Sequence, residues 1–173
     1  MDYRNILRLI CLSFVVSHLS LVSLASAEQA VVKRVIDGDT VVLADETRVR
    51  LIGIDAPEIE NRDYAHRGEP YGEESKQLLK EWIEGQSVDL RDGPEKEDRY
   101  HRRLAYLYLQ DQSFVNLKLV EAGAAEAYRK FPHPFQADFF AAEKRARENR
   151  LGLWGIEPRE RTWWEKLWGI KQK

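Results

Sequence analysis

The chain has 173 residues, with 27 Lys and Arg against 29 Asp and Glu, a formal net charge of −2. That length suits one domain, or a small domain with a tail, and an apolar share of 43% can fill one core and argues against disorder. The slight acidity excludes a protein that coats nucleic acid by overall charge, and a single cysteine excludes an intramolecular disulfide or a Cys-rich zinc site.

Residues 1–27 begin with Arg4 and Arg8, continue in an apolar run from Leu9 to Leu24, and end in Ala25-Ser26-Ala27. A charged start, an apolar middle and a small-residue end read as a signal peptide, with an uncleaved membrane anchor as the alternative. Cleavage after Ala27 removes Cys11, so the exported chain needs no oxidising compartment to fold. The expected location is periplasmic or extracellular.

Ala30–Ile36 is rich in β-branched residues and predicts a strand, followed by a turn at Asp37-Gly38. Asp39–Ala44 and Thr47–Ile54 predict two strands joined at Asp45-Glu46 as a hairpin. Pro57 ends the third strand, and Ile59–Pro70 reads as a polar loop. Gly72–Ile83 has helical spacing of Leu78, Leu79, Trp82 and Ile83. Ser87–Leu90 predicts a short strand, Arg91–Arg99 a charged loop and Leu104–Leu109 a buried strand. Ser113 is placed to cap a helix over Phe114–Ala122 that Gly123 closes, and Phe135–Arg150 predicts a third helix. Five short strands with a helix after the third suit an α+β fold, a five-stranded Greek-key β-barrel of the OB type with three helices. Residues 28–156 form this domain and 157–173 a tryptophan-rich tail.

A two-residue turn at Asp45-Glu46 would pair Ala44 with Thr47, Val41 with Arg50 and Asp39 with Ile52. Asp39 and Arg50 would then be diagonal neighbours on one face. The bend at Pro57 can bring Asp55 and Glu58 back toward them. Gathering Asp37, Asp39, Asp55 and Glu58 raises their mutual repulsion unless a cation compensates, and hard oxygen donors select Ca²⁺ or Mg²⁺ over zinc. The plainer reading makes Asp37-Gly38-Asp39 an ordinary turn.

Ile36-Asp37-Gly38-Asp39-Thr40-Val41, then Arg50-Leu51-Ile52-Gly53-Ile54-Asp55-Ala56-Pro57-Glu58, then Tyr71-Gly72 and Asp98–Tyr106 resemble the staphylococcal nuclease (thermonuclease) family in order and spacing. The resemblance runs from about Val31 to Trp154. It implies a calcium-dependent phosphodiesterase active on DNA and RNA that leaves 3′-phosphate and 5′-hydroxyl ends. By position, Asp39 and Asp55 match direct calcium ligands, Ala56 a ligand through its backbone carbonyl, and Asp37 an outer-shell carboxylate. Glu58 matches the general base, and Arg50 and Arg102 the phosphate-binding arginines. Arg99 and Tyr100 fall at substrate-binding positions, and Tyr128 is set against a second aromatic near the nucleotide. The chain departs from the family at His101, where glycine is common, at Arg103, where a small residue is common, and at Arg99, which replaces a common lysine. The other reading is an OB-type nucleic-acid-binding module without catalysis, which would lack part of the set Asp39, Arg50, Asp55, Glu58 and Arg102.

Elsewhere the sequence has bland explanations. His66 reads as a solvated loop residue, and His101 as a surface residue rather than a ligand. Tyr106 and Tyr108 read as alternating core and rim. Lys144, Arg145, Arg147 and Arg150, interleaved with Glu143 and Glu148, read as a solvated helix face. In the tail, Trp164, Leu167 and Trp168 share a helical face, which either packs on the barrel or makes a weak membrane-surface contact. No stable protein partner is expected, and the chain is expected to act as a monomer.

Overall fold

Alternation of side chains closes the strands into a barrel. The computed structural model describes residues 28–60 and 68–156; the expected signal peptide, His66 and the tryptophan-rich tail lie outside the described residues. The strands are β1 (Glu28–Val35), β2 (Thr40–Leu43), β3 (Arg48–Leu51), β4 (Ile54–Asp55), β5 (Ser87–Glu97), β6 (Arg103–Tyr108) and β7 (Glu126–Ala127). The helices are α1 (Gly72–Ile83), α2 (Val115–Glu121) and α3 (Gln136–Glu148), followed by one 3₁₀ turn at Gly152–Trp154. Val41, Leu43, Val49, Leu51, Val88, Leu90, Ala105 and Leu107 are all buried in one core, each large side chain contributing about 1.5–3 kcal/mol by leaving water. The barrel runs β1-β2-β3-β6-β5 and back to β1. Only the β3–β6 pair is parallel among these neighbours.

Three helices complete the core. α1 buries Ser75, Leu79 and Ile83; α2 buries Val115, Asn116, Leu119 and Val120; α3 buries Phe139, Ala142, Glu143 and Ala146. Asn116 is buried but fully engaged. Its Oδ1 accepts from the Leu107 amide (3.0 Å), and its Nδ2 donates to the Ile52 carbonyl (2.9 Å). This side chain ties α2 to β6 and to the end of β3.

The structure corrects four local expectations. The β2–β3 register is Thr40 opposite Arg50, Val41 opposite Val49 and Val42 opposite Arg48, one residue off the predicted pairing. The connection holds three residues, Ala44 to Glu46, because Glu46 adopts a left-handed conformation (φ 71°) and its amide bonds back to the Leu43 carbonyl (3.0 Å). Second, Thr47–Ile54 is not one strand. Gly53 (φ 81°) turns the chain, and Ile54–Asp55 pairs with Glu126–Ala127 as a separate small sheet. Third, the charged segment after Leu90 is strand up to Glu97, its charges facing solvent while its backbone pairs with β6; Arg103 Nε donates to Asp92 (2.7 Å) and Arg91 lies 3.9 Å over the Tyr108 ring. Fourth, Ser113 does not cap α2; Phe114 is the cap residue and makes no side-chain cap bond. Gly123 (φ 68°) ends that helix as predicted.

Tyr106 and Tyr108 both lie under an aromatic cover, not at a rim. Phe114 stacks on Tyr108 at 4.6 Å, and Phe135 meets Tyr106 edge-on at 5.0 Å. Glu143 is likewise buried, not solvated. Burial opposes its ionisation, but the hydrogen bond from Arg129 and the charge of Arg147 outweigh that and hold its carboxyl below the usual range.

His133 packs against Gly53 and Phe139 with both ring nitrogens buried and without a hydrogen-bond partner among the described residues. Burial pushes its pKa down. A base whose folded pKa is depressed leaves stability intact above its unfolded value, about 6.5, and reduces it as the pH falls through that value. His133→Phe is expected to keep the ring packing and flatten this acid-side loss, read as the difference in thermal midpoint between variant and parent from about pH 5 to pH 7.

Candidate active site

The site begins at the Asp37-Gly38-Asp39 turn, which the fold holds from three sides. The Asp39 amide donates to Asp37 Oδ1 (3.0 Å), while the Ile36 amide bonds the Thr40 carbonyl (2.9 Å). A Cβ on Gly38 would lie 2.3 Å from Ser75 Oγ and 2.5 Å from Ala56 Cβ, so only glycine lets the turn, α1 and residue 56 meet. Asp39 therefore sits buried just ahead of β2, 6% exposed. Its carboxylate accepts from the Ala56 amide (2.9 Å) and from Thr40 Oγ1 (3.0 Å), and it pairs with Arg50. Burial pushes the Asp39 carboxyl up to about 7; Arg50 pulls against this and Asp37 adds to it.

Arg50 holds a second carboxylate. Its Nη2 donates to Asp55 Oδ1 at 2.8 Å. The turn at Gly53 brings Asp55 back to Arg50, where a straight strand would have carried it away. One guanidinium thus joins Asp39, at the entry to β2, to Asp55 in β4.

Arg102 approaches from the start of β6. Its Nε and Nη2 both reach Asp98 Oδ2 (2.8 and 2.7 Å), and its Nη1 donates to Thr40 Oγ1 (3.3 Å). Burial opposes ionisation of Asp98, but hydrogen bonds from the Arg102 amide, the Arg102 side chain and the Tyr100 amide hold its carboxyl below the usual range. The result is a connected line, Arg50–Asp39–Thr40–Arg102. The parallel β3–β6 pairing makes it, since it sets the start of β6 beside β3.

The remaining predicted residues lie on segments that adjoin this line in the chain or through the backbone. Glu58 is exposed and lies two residues beyond Ala56; its amide donates to Glu69 Oε2 (3.0 Å) and its carbonyl accepts from the Glu69 amide (2.7 Å). A Cβ on Gly72 would stand 2.4 Å from the Glu58 carbonyl oxygen, so the glycine of Tyr71-Gly72 lets α1 support the Glu58 backbone. Arg99 stacks 4.7 Å over Tyr100 and donates to its hydroxyl (2.6 Å), leaving that ring 57% exposed beside Arg102. The Tyr128 amide bonds the Gly53 carbonyl (2.9 Å), and its half-buried ring lies 5.9 Å from the exposed Phe131. The β4–β7 pairing carries Tyr128 toward the Asp55 side.

Asp39 and Asp55 are the converging carboxylates, with Asp37 against the Asp39 backbone. Among the described residues no three His, Cys, Asp or Glu side chains form a metal-holding group. The donors are all oxygen, and one is a buried carboxylate driven toward its neutral form, which a cation reverses. This chemistry fits a hard divalent ion. Sequence reasoning missed Thr40 and Asp98. Thr40 follows Asp39 in the first motif but faces Arg50 only in the true register, and Asp98 stands four residues before Arg102.

The departures at His101 and Arg103 are also explained. His101 is exposed, left-handed (φ 58°) and paired with Glu97; Arg103 is tied to Asp92 and Glu28, away from the site. The backbone that a glycine would favour is therefore kept with a strained residue. His101→Gly is expected to raise unfolding stability by about 0.5–1 kcal/mol in denaturant titration, since it relieves that strain.

Comparison with known proteins agrees with this fold. The family described as Staphylococcal nuclease homologue matches residues 48–155. The chain is 38% identical over 133 residues to a protein named Thermonuclease from Staphylococcus intermedius, covering 73% of this chain and 76% of that one. It is 35% identical over 144 residues to a protein named Micrococcal nuclease from Shigella flexneri, covering 76% of each. It is 33% identical over 145 residues to a protein named Uncharacterized endonuclease from Haemophilus influenzae, covering 79% of this chain and 74% of that one. The closed barrel, the motifs that build its surface line of charge and these matches place the chain in one family: it belongs to the staphylococcal nuclease homologues.

Proposed function

We propose that this nuclease-family chain is exported and hydrolyses phosphodiester bonds of DNA and RNA with calcium, leaving 3′-phosphate and 5′-hydroxyl ends. The observation that carries this reading is the pair of guanidiniums, Arg50 and Arg102, held on either side of Asp39 and Thr40.

Hydrolysis places growing negative charge on the nonbridging oxygens of the phosphate. Two guanidiniums can bind those oxygens through directed N–H bonds and never deprotonate. Asp98 fixes the direction of Arg102, and Asp55 that of Arg50. Asp39 and Asp55 would hold calcium, with Ala56 contributing its backbone carbonyl and Asp37 standing in the outer shell. When bound, calcium polarises and orients the phosphate. Glu58 takes the proton of the attacking water on its carboxylate. Water's oxygen bonds to phosphorus, the bond to the 5′ oxygen breaks, and that oxygen leaves as a hydroxyl after protonation from solvent. Tyr100 and Tyr128 offer aromatic faces beside the phosphate on which bases stack, and Arg99 orients Tyr100.

Calcium and export are tested together. In gel assays of separated cell fractions on DNA and RNA, activity is expected in the exported fraction with calcium, absent with chelator and restored by added calcium. Binding without cleavage under all conditions would favour the non-catalytic module instead.

A further inference from the structure

The outer face of the barrel continues past Arg50. β3 turns Val49 and Leu51 into the core and Arg48 and Arg50 outward. Val42 stands opposite Arg48, and on the next strand Arg34 stands opposite Val42. Directly opposed residues share a face, so Arg34, Val42 and Arg48 form one row across three adjacent strands, parallel to the row of Thr40 and Arg50. An irregularity in β1 between Val32 and Arg34 leaves both Lys33 and Arg34 exposed.

The charges on this face are not alike. Lys33 is neutralised by Glu46 at the hairpin tip, and Arg103 by Asp92 and Glu28. Arg129, Arg145 and Arg147 have carboxylate partners as well. Arg34 and Arg48 are exposed and have no ion pair or hydrogen bond among the described residues. In a chain with more carboxylates than basic side chains, two uncommitted arginines in one row beside Arg50 are a localised positive charge. Arg48 follows Arg50 at a two-residue step, about 6.6 Å, and Arg34 lies two strand spacings on, about 9.6 Å. Steps of this order are comparable to those between successive phosphates of an extended single strand.

We propose that Arg48 and Arg34 form a phosphate-binding track that holds a single-stranded polynucleotide one and two nucleotides away from the phosphate at Arg50 and Arg102. The placement of that phosphate rests on the nuclease reading; the track itself is a claim about charge and can be measured without turnover. Exposed arginines on either side of the buried Val42 hold the backbone and not the bases, so the track lends affinity for long chains without sequence preference.

The test compares the full chain carrying Glu58→Gln, in calcium, with the same chain carrying Arg34→Gln and Arg48→Gln as well. The probe is a fluorescent oligothymidylate long enough to cross both arginines. Each phosphate contact on a single strand contributes about 0.7 to the slope of log affinity against log salt. The added substitutions are expected to weaken binding roughly tenfold at low salt and flatten the slope by about 1.4. Arg34→Lys with Arg48→Lys is expected to restore the slope, which separates charge from folding, and thermal unfolding should be unchanged. Equal slopes with and without the arginines, or no salt-dependent binding by the parent, would overturn the track. With Glu58 intact, Arg34→Gln and Arg48→Gln should leave cleavage of a dinucleotide unchanged, because it does not reach the track; loss of that cleavage would also overturn it. If the parent cleaves neither DNA nor RNA in calcium, the nuclease reading fails, and the binding slopes still decide whether the arginines hold phosphates.

Discussion

Arg102→Ala is expected to lower hydrolysis of DNA at least ~100-fold, and Glu58→Gln to do the same, each on the scale of a lost electrostatic or acid–base group. A hundredfold loss is about 2.7 kcal/mol of barrier. Arg102 is a partly exposed residue, 21% by side chain, held by Asp98 and Thr40, so its removal takes little apolar area from the core. The loss should therefore fall on kcat more than on KM, as expected for a group that acts chiefly on the transition state. Arg102→Lys should not restore the rate, because an ammonium cannot keep both Asp98 and a phosphate oxygen in planar fork geometry. Steady-state kinetics on purified, folded variants checks this, and near-parent rates would remove Arg102 and Glu58 from the catalytic assignment.

Asn116→Ala should be the most damaging of the polar substitutions away from the site. It leaves the buried Leu107 amide and the Ile52 carbonyl without the partner each now has, and one unsatisfied buried group costs about 1–3 kcal/mol. A loss of roughly 2–4 kcal/mol in unfolding free energy is expected from the two together. Ile52 immediately precedes the Gly53 turn that returns Asp55 to Arg50, so activity at a temperature where the variant remains folded should also fall. Asn116→Asp tests the same contact from one side. It keeps an acceptor for Leu107, has no donor for Ile52 and adds buried charge, so it should not rescue. Denaturant unfolding followed by circular dichroism measures both.

Much of the architecture was legible because its signals were local. The runs around Val32, Val41 and Val49 are rich in β-branched residues, and Leu79 and Ile83 recur at helical spacing, so strand and helix identities follow from local composition and period. Gly123 announced the end of α2 because a left-handed residue is needed there. What failed was longer in range or smaller in scale. Glu46 carries no glycine-like mark, so its left-handed conformation, and with it the register of β2 and β3, could not be read from Asp45-Glu46. The strand from Arg91 to Glu97 reads as a loop because its charges suggest solvent; they do face solvent, and the segment is strand because its backbone pairs with β6. At the site, Asp39, Arg50 and Asp55 were found from motif order, and their meeting depends on Gly53 more than on strand parity. Thr40, which joins the two arginines, required the true register to be seen.

That register separates what the hairpin tip can tolerate from what the strands can. A slip of one residue between β2 and β3 would turn Arg48 and Arg50 into the apolar interior and Val49 and Leu51 toward water. Burial of Val49 and Leu51 therefore fixes the pairing, and a residue gained or lost between Leu43 and Thr47 is absorbed within the exposed bend, which changes its turn and not its partners. The tip is free to vary in length because the core, and not the bend, keeps the arginines facing outward.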